Sequence, residues 1–305
     1  MIIFYGLKED AHIGVPLKNW FIYGGWNTVC TGMTFGFAAV WAAWEWRESA
    51  KGSASWKKAS WLIASVLLNI ATLLTLSRGA LLALTAAHLV WFLPQGWRAA
   101  WRPVILFAGC VAIFQLAAPV VSYLAAKEVA ADLGVEAEVV HSRIQDFGVI
   151  PPNPALRLLE RGDNGRFAIY AGALSSMTTW RDWLLGKGLW SANDAWSCGL
   201  WWNPEHLHSV YLDSLVRGGV LSLLGLLFLT GWGLVRAWRL AVEGEALWLV
   251  LAVFGLVGMV FDGDSLCTML SVPRFEMLLF WTPLVIASAR HGAAFANAPK
   301  ALFGR

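Results

Sequence analysis

The stretch that decides this fold reads PEHLHSVYLDSLVRGG, from Pro204 to Gly219. It carries two histidines and charges of both signs. It leads directly into the apolar run Val220 to Val235, which is long enough to enter a bilayer. Because an imidazole can exchange a proton near neutral pH, the sequence predicts ionisable chemistry at a membrane surface.

The composition is that of a polytopic membrane protein. Of the 305 residues, 58% are hydrophobic and only 14% are charged, and the mean hydropathy is +0.57, which is far from the balance of a soluble domain. The net charge of +3 is small and its basic residues are sorted to one set of loops, which indicates membrane topology rather than nucleic-acid binding. The first 26 residues show no basic start, apolar core and cleavage site, so no signal peptide is expected.

Apolar runs predict an all-α, polytopic transmembrane fold of about seven spans. The runs are Asn27–Trp46, Trp61–Leu76, Ala80–Leu93, Pro103–Ala126, Tyr211–Val235, Ala246–Phe261 and Pro273–Ala289. The second and third runs are each short for a span, yet together they are too long for one helix. We therefore expect a tight hairpin between them, with Arg78 at its tip.

The basic residues of the short loops predict the orientation of the chain. They concentrate in residues 47–60, 94–102 and 236–245 and after Arg290, and these segments all fall on one side when seven helices are threaded. That side is the cytoplasm under the positive-inside rule. The predicted organisation in a bacterial inner membrane is a periplasmic N-terminal segment (1–26), four transmembrane helices (27–126), a large periplasmic loop (127–207), three transmembrane helices (208–289) and a cytoplasmic tail (290–305).

The large loop is the long hydrophilic part of the chain, with charges of both signs and turn-forming Pro and Gly clusters. The apolar spacing in Lys127–Asp146 and in Arg166–Leu185 predicts amphipathic helices that lie over the membrane. Tryptophans are frequent at the span ends, where they are typical of a membrane interface. Those of the loop fit the same interpretation, although tryptophan faces also stack on sugar rings.

The cysteines indicate no metal site and no cofactor. None of the four belongs to a CxxC pair or has a histidine at metal-ligand spacing. Cys30 and Cys110 lie in predicted spans, whereas Cys198 and Cys267 fall on the predicted outer side, where disulfides are permitted. We therefore hypothesise a bridge between Cys198 and Cys267.

Three residues assigned to the outer side carry the candidate chemistry. Arg78 lies between two apolar runs, where an arginine is costly unless it faces a cavity, a partner or the interface, and its structural interpretation is a snorkelling turn residue. Arg166 begins an apolar-periodic segment, and alone it reads as a solvated charge at a helix end. His208 stands at the outer mouth of the fifth span, where a single histidine is more often an interface residue than a catalyst.

Taken together, these side chains suit a reaction on a membrane-bound phosphate ester. Guanidinium groups bind phosphate oxygens and stabilise a leaving diphosphate, while a neutral imidazole can deprotonate an attacking hydroxyl. No metal-binding carboxylate pair is evident on this face. Of the supporting residues His206, Tyr211, Asp213 and Arg217, the last two are four apart and predict an ion pair that holds the mouth of the helix.

The same residues resemble a known family. The chain reads TLSRGA at 75–80, then Arg166 with Tyr170 and LGKG at 185–188, then HSVYL at 208–212 followed by GGVL at 218–221. This ordered series resembles the O-antigen ligase and O-antigen polymerase superfamily of bacterial membrane glycosyltransferases. The resemblance covers most of the chain from about Asn27 onward.

The resemblance implies a metal-independent transfer of a glycan from undecaprenyl diphosphate to a hydroxyl acceptor on the periplasmic face. Carried over by residue, Arg78 and Arg166 would bind the donor diphosphate and His208 would activate the acceptor, while His206 has no counterpart. The implied partners are the lipid-linked glycan donor, a lipid A core or glycan acceptor, and membrane lipids. The family usually has more spans than the seven predicted here, so this chain would be a short or N-terminally truncated member.

The chain also departs from the family pattern. Ser209 stands where Asn is usual, Tyr170 stands where Trp is common, and Lys187 separates two glycines. These departures leave the identities of donor and acceptor open.

The sequence leaves three functions in competition. The favoured one is ligation of O-antigen to lipid A core, and polymerisation or transfer to a protein hydroxyl would share its donor chemistry. The alternative is a non-catalytic transporter or flippase of lipid-linked sugars, in which the arginines bind phosphate and His208 is dispensable. A non-catalytic scaffold would place Arg78, Arg166 and His208 far apart.

Overall fold

The computed structural model describes residues 28–49, 52, 54–75, 77–133, 166–188, 207–261, 263 and 275–296, and all regular structure within these ranges is helical. The helices are α1 (Thr28–Ser49), α2 (Ser55–Leu74), α3 (Arg78–Val90), α4 (Phe92–Gln95), α5 (Trp97–Leu133), α6 (Arg166–Ser175), α7 (Trp180–Leu185), α8 (Val210–Val242), α9 (Leu247–Phe261) and α10 (Phe275–Ala296). The all-α prediction is confirmed for this part of the chain.

Among the described residues, three helices have the length and composition to cross a bilayer. They are α2, the segment Ala100–Ala117 within α5, and α8. Shorter apolar helices cover Arg78–Pro94, Leu247–Phe261 and Leu278–Arg290. The protein is therefore a multi-pass membrane protein, and the count of seven spans stays a prediction.

Several helices extend beyond the runs that hydropathy marks, and α5 and α8 are examples. α5 begins at Trp97 and ends at Leu133, whereas the predicted span is Pro103–Ala126. α8 continues to Val242 instead of ending at Val235. The reason is that hydropathy detects only the apolar part of a helix, while backbone hydrogen bonds inside the helix continue through its polar flanks.

The segment Arg166–Leu185, predicted as one amphipathic stretch, is broken into α6 and α7. Thr179 is extended, with φ −114° and ψ 156°, and begins the second helix as its N-cap. Its hydroxyl accepts a hydrogen bond from the backbone N–H of Asp182 at 3.1 Å, and the Asp182 carboxylate accepts one from the Thr179 N–H at 3.0 Å. This reciprocal capping box starts α7 independently of α6.

The chain divides into two compact units, which are Met1–Leu81 with Pro103–Asn164 and Leu82–Arg102 with Gly165–Arg305. In the first unit, α1 packs along α2. α1 buries small residues, such as Gly32 and Ala39, and α2 buries a polar stripe. Small residues let helix backbones approach closely, which is typical of helix pairs in membranes. The stripe consists of Ser65, Asn69 and Thr72.

In the second unit, α8, α9 and α10 pack against one another. α8 buries mainly small side chains and exposes large apolar ones, such as Leu224 at 57% and Phe228 at 69%. Gly233 of α8 faces Leu284 of α10, where an added Cβ would lie 2.8 Å from a leucine methyl carbon. Such a helix suits a lipid environment. Lipid already keeps its large apolar side chains out of water, so they need not be buried inside the protein.

The two ends of this unit are chemically different. At one end, the Tyr211 hydroxyl donates to the Leu256 carbonyl at 3.0 Å, which joins the start of α8 to the later part of α9. At the other end, Arg290 donates to Glu245 at 2.7 Å and lies over the ring of Trp248 at 5.4 Å. The segment of His208 and the basic end of the bundle therefore lie at opposite ends of α8.

Candidate active site

The candidate site begins with a break in α8. Gly219 has φ 68° and ψ −172°, which is not helical, and it separates a short helix, Val210–Gly218, from the longer apolar run that follows. The sequence predicted one helix here, Tyr211–Val235, with no break. The predicted supporting residues of α8 all belong to the short helix, so the break isolates the polar part of α8 from its membrane-spanning part.

His208 immediately precedes this short helix and is half-buried. Its φ is 55°, and it is the only non-glycine residue among the described ones with a positive φ. The next residue, Ser209, is the N-cap, and its hydroxyl accepts from the Leu212 N–H at 3.5 Å. A left-handed conformation is costly for a side-chain-bearing residue and persists only where its surroundings hold it. The backbone of His208 is therefore held in place from both sides, by the cap and by buried Leu207.

A hydrophobic cluster joins the segment of His208 to the helix of Arg166. Its fully buried members come from α6 and its continuation, from the residue before His208, and from the short helix. They are Ile169, Ala173, Met177, Leu207 and Val216. Because Arg166 is the first residue of α6 and Ile169 follows it by about one turn, both lie on the same side of that helix. The structure thus brings together the elements of two predicted site residues, Arg166 and His208.

Asp213 and Arg217 form the ion pair that their spacing predicts. Arg217 Nε lies 3.0 Å from Asp213 Oδ1, and the two side chains are 11% and 1% exposed in that order. Asp213 is also near the N-terminus of the short helix, where a carboxylate is favoured by the helix dipole. The pair ties two consecutive turns of the short helix together.

Arg78 belongs to the first unit and is the first residue of α3, half-buried. The turn before it is closed by side chains, since the Ser77 hydroxyl accepts from the Ala80 N–H at 3.3 Å. A Cβ added to Gly32 of α1 would lie 2.8 Å from Thr75 Oγ1 and 3.1 Å from Ser77 Cβ. The turn that carries Arg78 is therefore pressed against α1.

Two predicted residues and the proposed disulfide lie outside the described ranges. His206 precedes the first described residue of its segment, and neither Cys198 nor Cys267 is described. Cys30 and Cys110 are buried and reduced. Within the described ranges no three His, Cys, Asp or Glu side chains come together in a group that could hold a metal ion. Metal independence stays a prediction.

The loop after α7 is a feature whose place in the site the sequence did not predict. Gly186, Lys187 and Gly188 lie against the break in α8, where Lys187 N–H donates to the Val216 carbonyl at 2.8 Å. Lys187 also pairs with Asp182 at 3.3 Å. The backbone N–H of Thr179 lowers the pKa of the Asp182 carboxyl, and Lys187 acts in the same direction. The available sequence signal was two glycine-bearing motifs, LGKG and RGG, but nothing in either one indicates that they touch.

Comparison with known proteins identifies the family of the chain. A family model described as O-antigen ligase matches residues 63–227, which is more than half of the chain. The matched region contains Arg78, Arg166 and His208. No curated protein and no solved structure matches the chain. The resemblance drawn from the motifs is confirmed, and the chain belongs to the O-antigen ligase family.

Proposed function

We propose that this protein is a membrane glycosyltransferase that moves a glycan from undecaprenyl diphosphate to a hydroxyl acceptor on the periplasmic face of the bacterial inner membrane. Ligation of O-antigen to lipid A core is the favoured reaction, and polymerisation or protein O-glycosylation differs only in the acceptor. The observation that carries the proposal is the cluster joining the helix of Arg166 to the segment of His208, inside the region that the family model matches.

In the proposed reaction, His208 accepts the proton of the acceptor hydroxyl while the hydroxyl oxygen forms a bond to the anomeric carbon. The bond from that carbon to the diphosphate oxygen breaks, and its electron pair leaves with undecaprenyl diphosphate. Arg166 binds the diphosphate oxygens and offsets their growing charge. Arg78 is assigned the same task by the family resemblance.

Three residues of the short helix, Tyr211, Asp213 and Arg217, position the base and are not assigned contact with substrate. The Asp213–Arg217 pair holds two turns of that helix. Tyr211 fixes it to α9 through its hydroxyl. These two contacts hold the helix next to the base rigid. The base therefore loses little entropy when the acceptor binds, which lowers the barrier to transfer.

The decisive experiment is transfer by the purified protein in nanodiscs, with an undecaprenyl-diphosphate-linked glycan as donor and lipid A core as acceptor. His208→Ala and His208→Gln should each lower the transfer rate by about 100- to 10,000-fold, because the general base is lost. Arg166→Ala should lower it by about 10- to 100-fold, as expected for loss of a charged hydrogen bond. Arg181→Ala is the matched control, since Arg181 is exposed on α7.

The same purified protein, reconstituted in proteoliposomes, separates the alternatives. A transporter or flippase would move the lipid-linked glycan across proteoliposomes with His208→Ala as well as with the unchanged protein, and it would release no undecaprenyl diphosphate. Wild-type transfer by His208→Ala at normal protein level would overturn the enzymatic proposal. Product from lipid A core, from a second glycan or from a serine peptide identifies the acceptor class.

A further inference from the structure

The break in α8 is closed by a loop from another part of the chain. Residues Gly186 to Gly188 follow α7 and meet Val216–Gly218 of α8, while Gly219 meets the backbone of Leu184 and Leu185 at the end of α7. We call this loop the Gly186–Gly188 clasp. It lies in the second unit together with α6 and α8, so its contacts are internal to that unit.

Two glycines make the contact possible. Gly186 has φ 76°, and a Cβ there would collide with the backbone carbonyl group of Arg217. Gly219 has φ 68°, and a Cβ there would collide with the backbone carbonyl group of Leu184. Each glycine is thus required twice, once for its left-handed conformation and once for the approach of the opposite backbone. The collisions involve backbone atoms, which cannot move aside as a flexible side chain can.

The clasp also satisfies the carbonyl groups that the break exposes. The last four carbonyl groups of a helix have no partner within the helix, and the short helix ends at Gly218. Its Val216 carbonyl accepts from Lys187 N–H at 2.8 Å, and its Arg217 carbonyl accepts from Gly188 N–H at 3.0 Å. The polar C-terminal end of the short helix is thereby capped by backbone N–H groups of the clasp.

α7 presents the clasp in a fixed shape. The Asp182 carbonyl accepts from Gly186 N–H at 2.8 Å, which ends the helix, and the Asp182 carboxylate accepts from Lys187 Nζ at 3.3 Å. One residue, Asp182, therefore contributes to the start of α7, to its end and to the clasp. The donors of the clasp point at the α8 carbonyl groups without further ordering of the loop.

Val216 connects the clasp to the candidate base. Its carbonyl is held by the clasp, while its side chain lies in the cluster that also contains Leu207, the neighbour of His208. We propose that the Gly186–Gly188 clasp is a positioning element, which holds the short helix Val210–Gly218 at a fixed angle to the rest of α8 and thereby sets the place of His208. The catalytic part of this proposal rests on the proposed transfer reaction, whereas the clasping of the short helix does not.

The chain offers a matched set of variants. Gly186→Ala and Gly219→Ala place a methyl group into opposing backbone and should open the clasp. Gly225→Ala and Gly231→Ala lie on the same α8 helix, and there an added Cβ meets nothing within 4 Å. Gly188→Ala is an intermediate case, because its φ is 103° but no atom lies within 4 Å of the added Cβ. Gly188→Ala keeps the N–H that donates to the Arg217 carbonyl. Because it creates no collision, it still tests the clasp if Gly186→Ala or Gly219→Ala fails to fold.

Hydrogen exchange of the full-length protein in nanodiscs tests the clasp without any substrate. Gly186→Ala and Gly219→Ala should exchange the amides of residues 207–218 at least tenfold faster, with residues 224–242 unchanged. Gly188→Ala should show a smaller increase in the same residues, and Gly225→Ala and Gly231→Ala should match the unchanged protein. Wild-type protection of residues 207–218 in both Gly186→Ala and Gly219→Ala would overturn the clasp, and so would equal loss in the control variants.

Transfer kinetics then test positioning. The clasp variants should lower kcat at least tenfold and leave the KM for the donor within about a factor of two. The reason is that His208 is displaced, whereas Arg166, which binds the donor, stays in place on α6. Faster exchange with unchanged kcat would overturn the positioning role and leave the proposed transfer standing. If His208→Ala has no effect on transfer, the reaction is wrong, while the exchange data still decide whether the clasp holds the short helix.

Discussion

At the scale of single residues, the site depends on a few groups in unfavourable states that their neighbours stabilise. His208 adopts a left-handed backbone, and Asp213 is a carboxylate with 1% exposure. Each condition costs free energy when considered alone. The Ser209 cap and the Arg217 guanidinium supply the compensation.

Removing one member of the buried ion pair should cost more than removing both. Arg217→Met removes the guanidinium that lies 3.0 Å from the buried Asp213 carboxylate, and Asp213→Ala removes the carboxylate to which Arg217 Nε donates. Each should lower the free energy of unfolding by about 3–5 kcal/mol. Thermal unfolding in detergent of both single variants and of the double variant measures the coupling. Strictly additive losses would contradict the prediction.

The stability of α7 should depend on the protonation of Asp182. The Thr179 N–H and Lys187 hold the pKa of this carboxyl below its ordinary value of 3.8. Its stabilising contribution is therefore present above the ordinary pKa and is lost as the pH falls through the lowered value of the folded state. A spin label at Arg181→Cys should report an ordered α7 at neutral pH and a mobile one in strong acid.

Asp182→Ala supplies the comparison for that titration. With the carboxyl absent, the label should be mobile at neutral pH and should show no transition in acid. Glu243→Gln changes an exposed carboxyl in the turn after α8 and should leave the titration as it is. The prediction is wrong if Asp182→Ala and the unchanged protein give the same mobility across the range.

At the scale of elements, close approach of helices is set by glycine where membranes supply no hydrophobic drive between them. In the first unit, Gly32 of α1 meets the turn Thr75–Ala80, which carries Arg78. In the second, Gly255 of α9 meets the Leu279 carbonyl of α10, with an added Cβ at 3.0 Å. At each contact an added Cβ would lie within about 3 Å of a neighbouring atom, so a side chain there would force the two segments apart.

Gly32→Ala should disturb the turn of Arg78. The new Cβ would lie 2.8 Å from Thr75 Oγ1 and 2.9 Å from Ala80 Cβ, so α1 or the turn must shift, at a cost of about 1–3 kcal/mol. Thermal unfolding in detergent measures the loss. Gly109→Ala on α5 meets nothing within 4 Å and serves as the control. If the two variants unfold at the same temperature, the turn accommodates the added methyl group and the prediction is wrong.

At the scale of the whole molecule, the described helices form a multi-pass membrane protein whose second unit has two unlike ends. His208, Asp213 and the clasp lie at the start of α8. Arg236, Glu245 and Arg290 lie at its far end. Arg236 lies over the Trp232 ring at 4.5 Å, which is a cation–π contact. The positive-inside rule predicts that this basic end faces the cytoplasm.

Cysteine labelling in intact cells checks the assignment of the two ends. In a background without native cysteines, Thr178→Cys, between α6 and α7, should react with a membrane-impermeant maleimide added outside. Glu243→Cys, in the turn after α8, should react only after the cells are permeabilised. Both positions are exposed, so access to the side chain does not limit the reaction. Reversed labelling would place the candidate site in the cytoplasm.

The sequence predicted what depends on composition and short-range spacing. Apolar runs located α9 and the start of α10 to within two residues, because burial in lipid requires uninterrupted apolar helix. The spacing of Asp213 and Arg217 predicted their ion pair, which is confirmed, because residues four apart share a helix face. The roles of Arg78, Arg166 and His208 stay predictions until the transfer experiments are done.

By itself, the sequence determined that this is an α-helical membrane protein with a polar, histidine-bearing segment at the head of α8, because apolar length and charge position are local properties. Only the tertiary structure decided that α8 breaks at Gly219 and that the loop at Gly186 closes the break. The physical reason is that glycine adopts helical and left-handed backbone at similar energy, so its own sequence cannot choose between them. The choice is made by the hydrogen bonds and the backbone contact between Gly186–Gly188 and Val216–Gly219, which come from different parts of the chain.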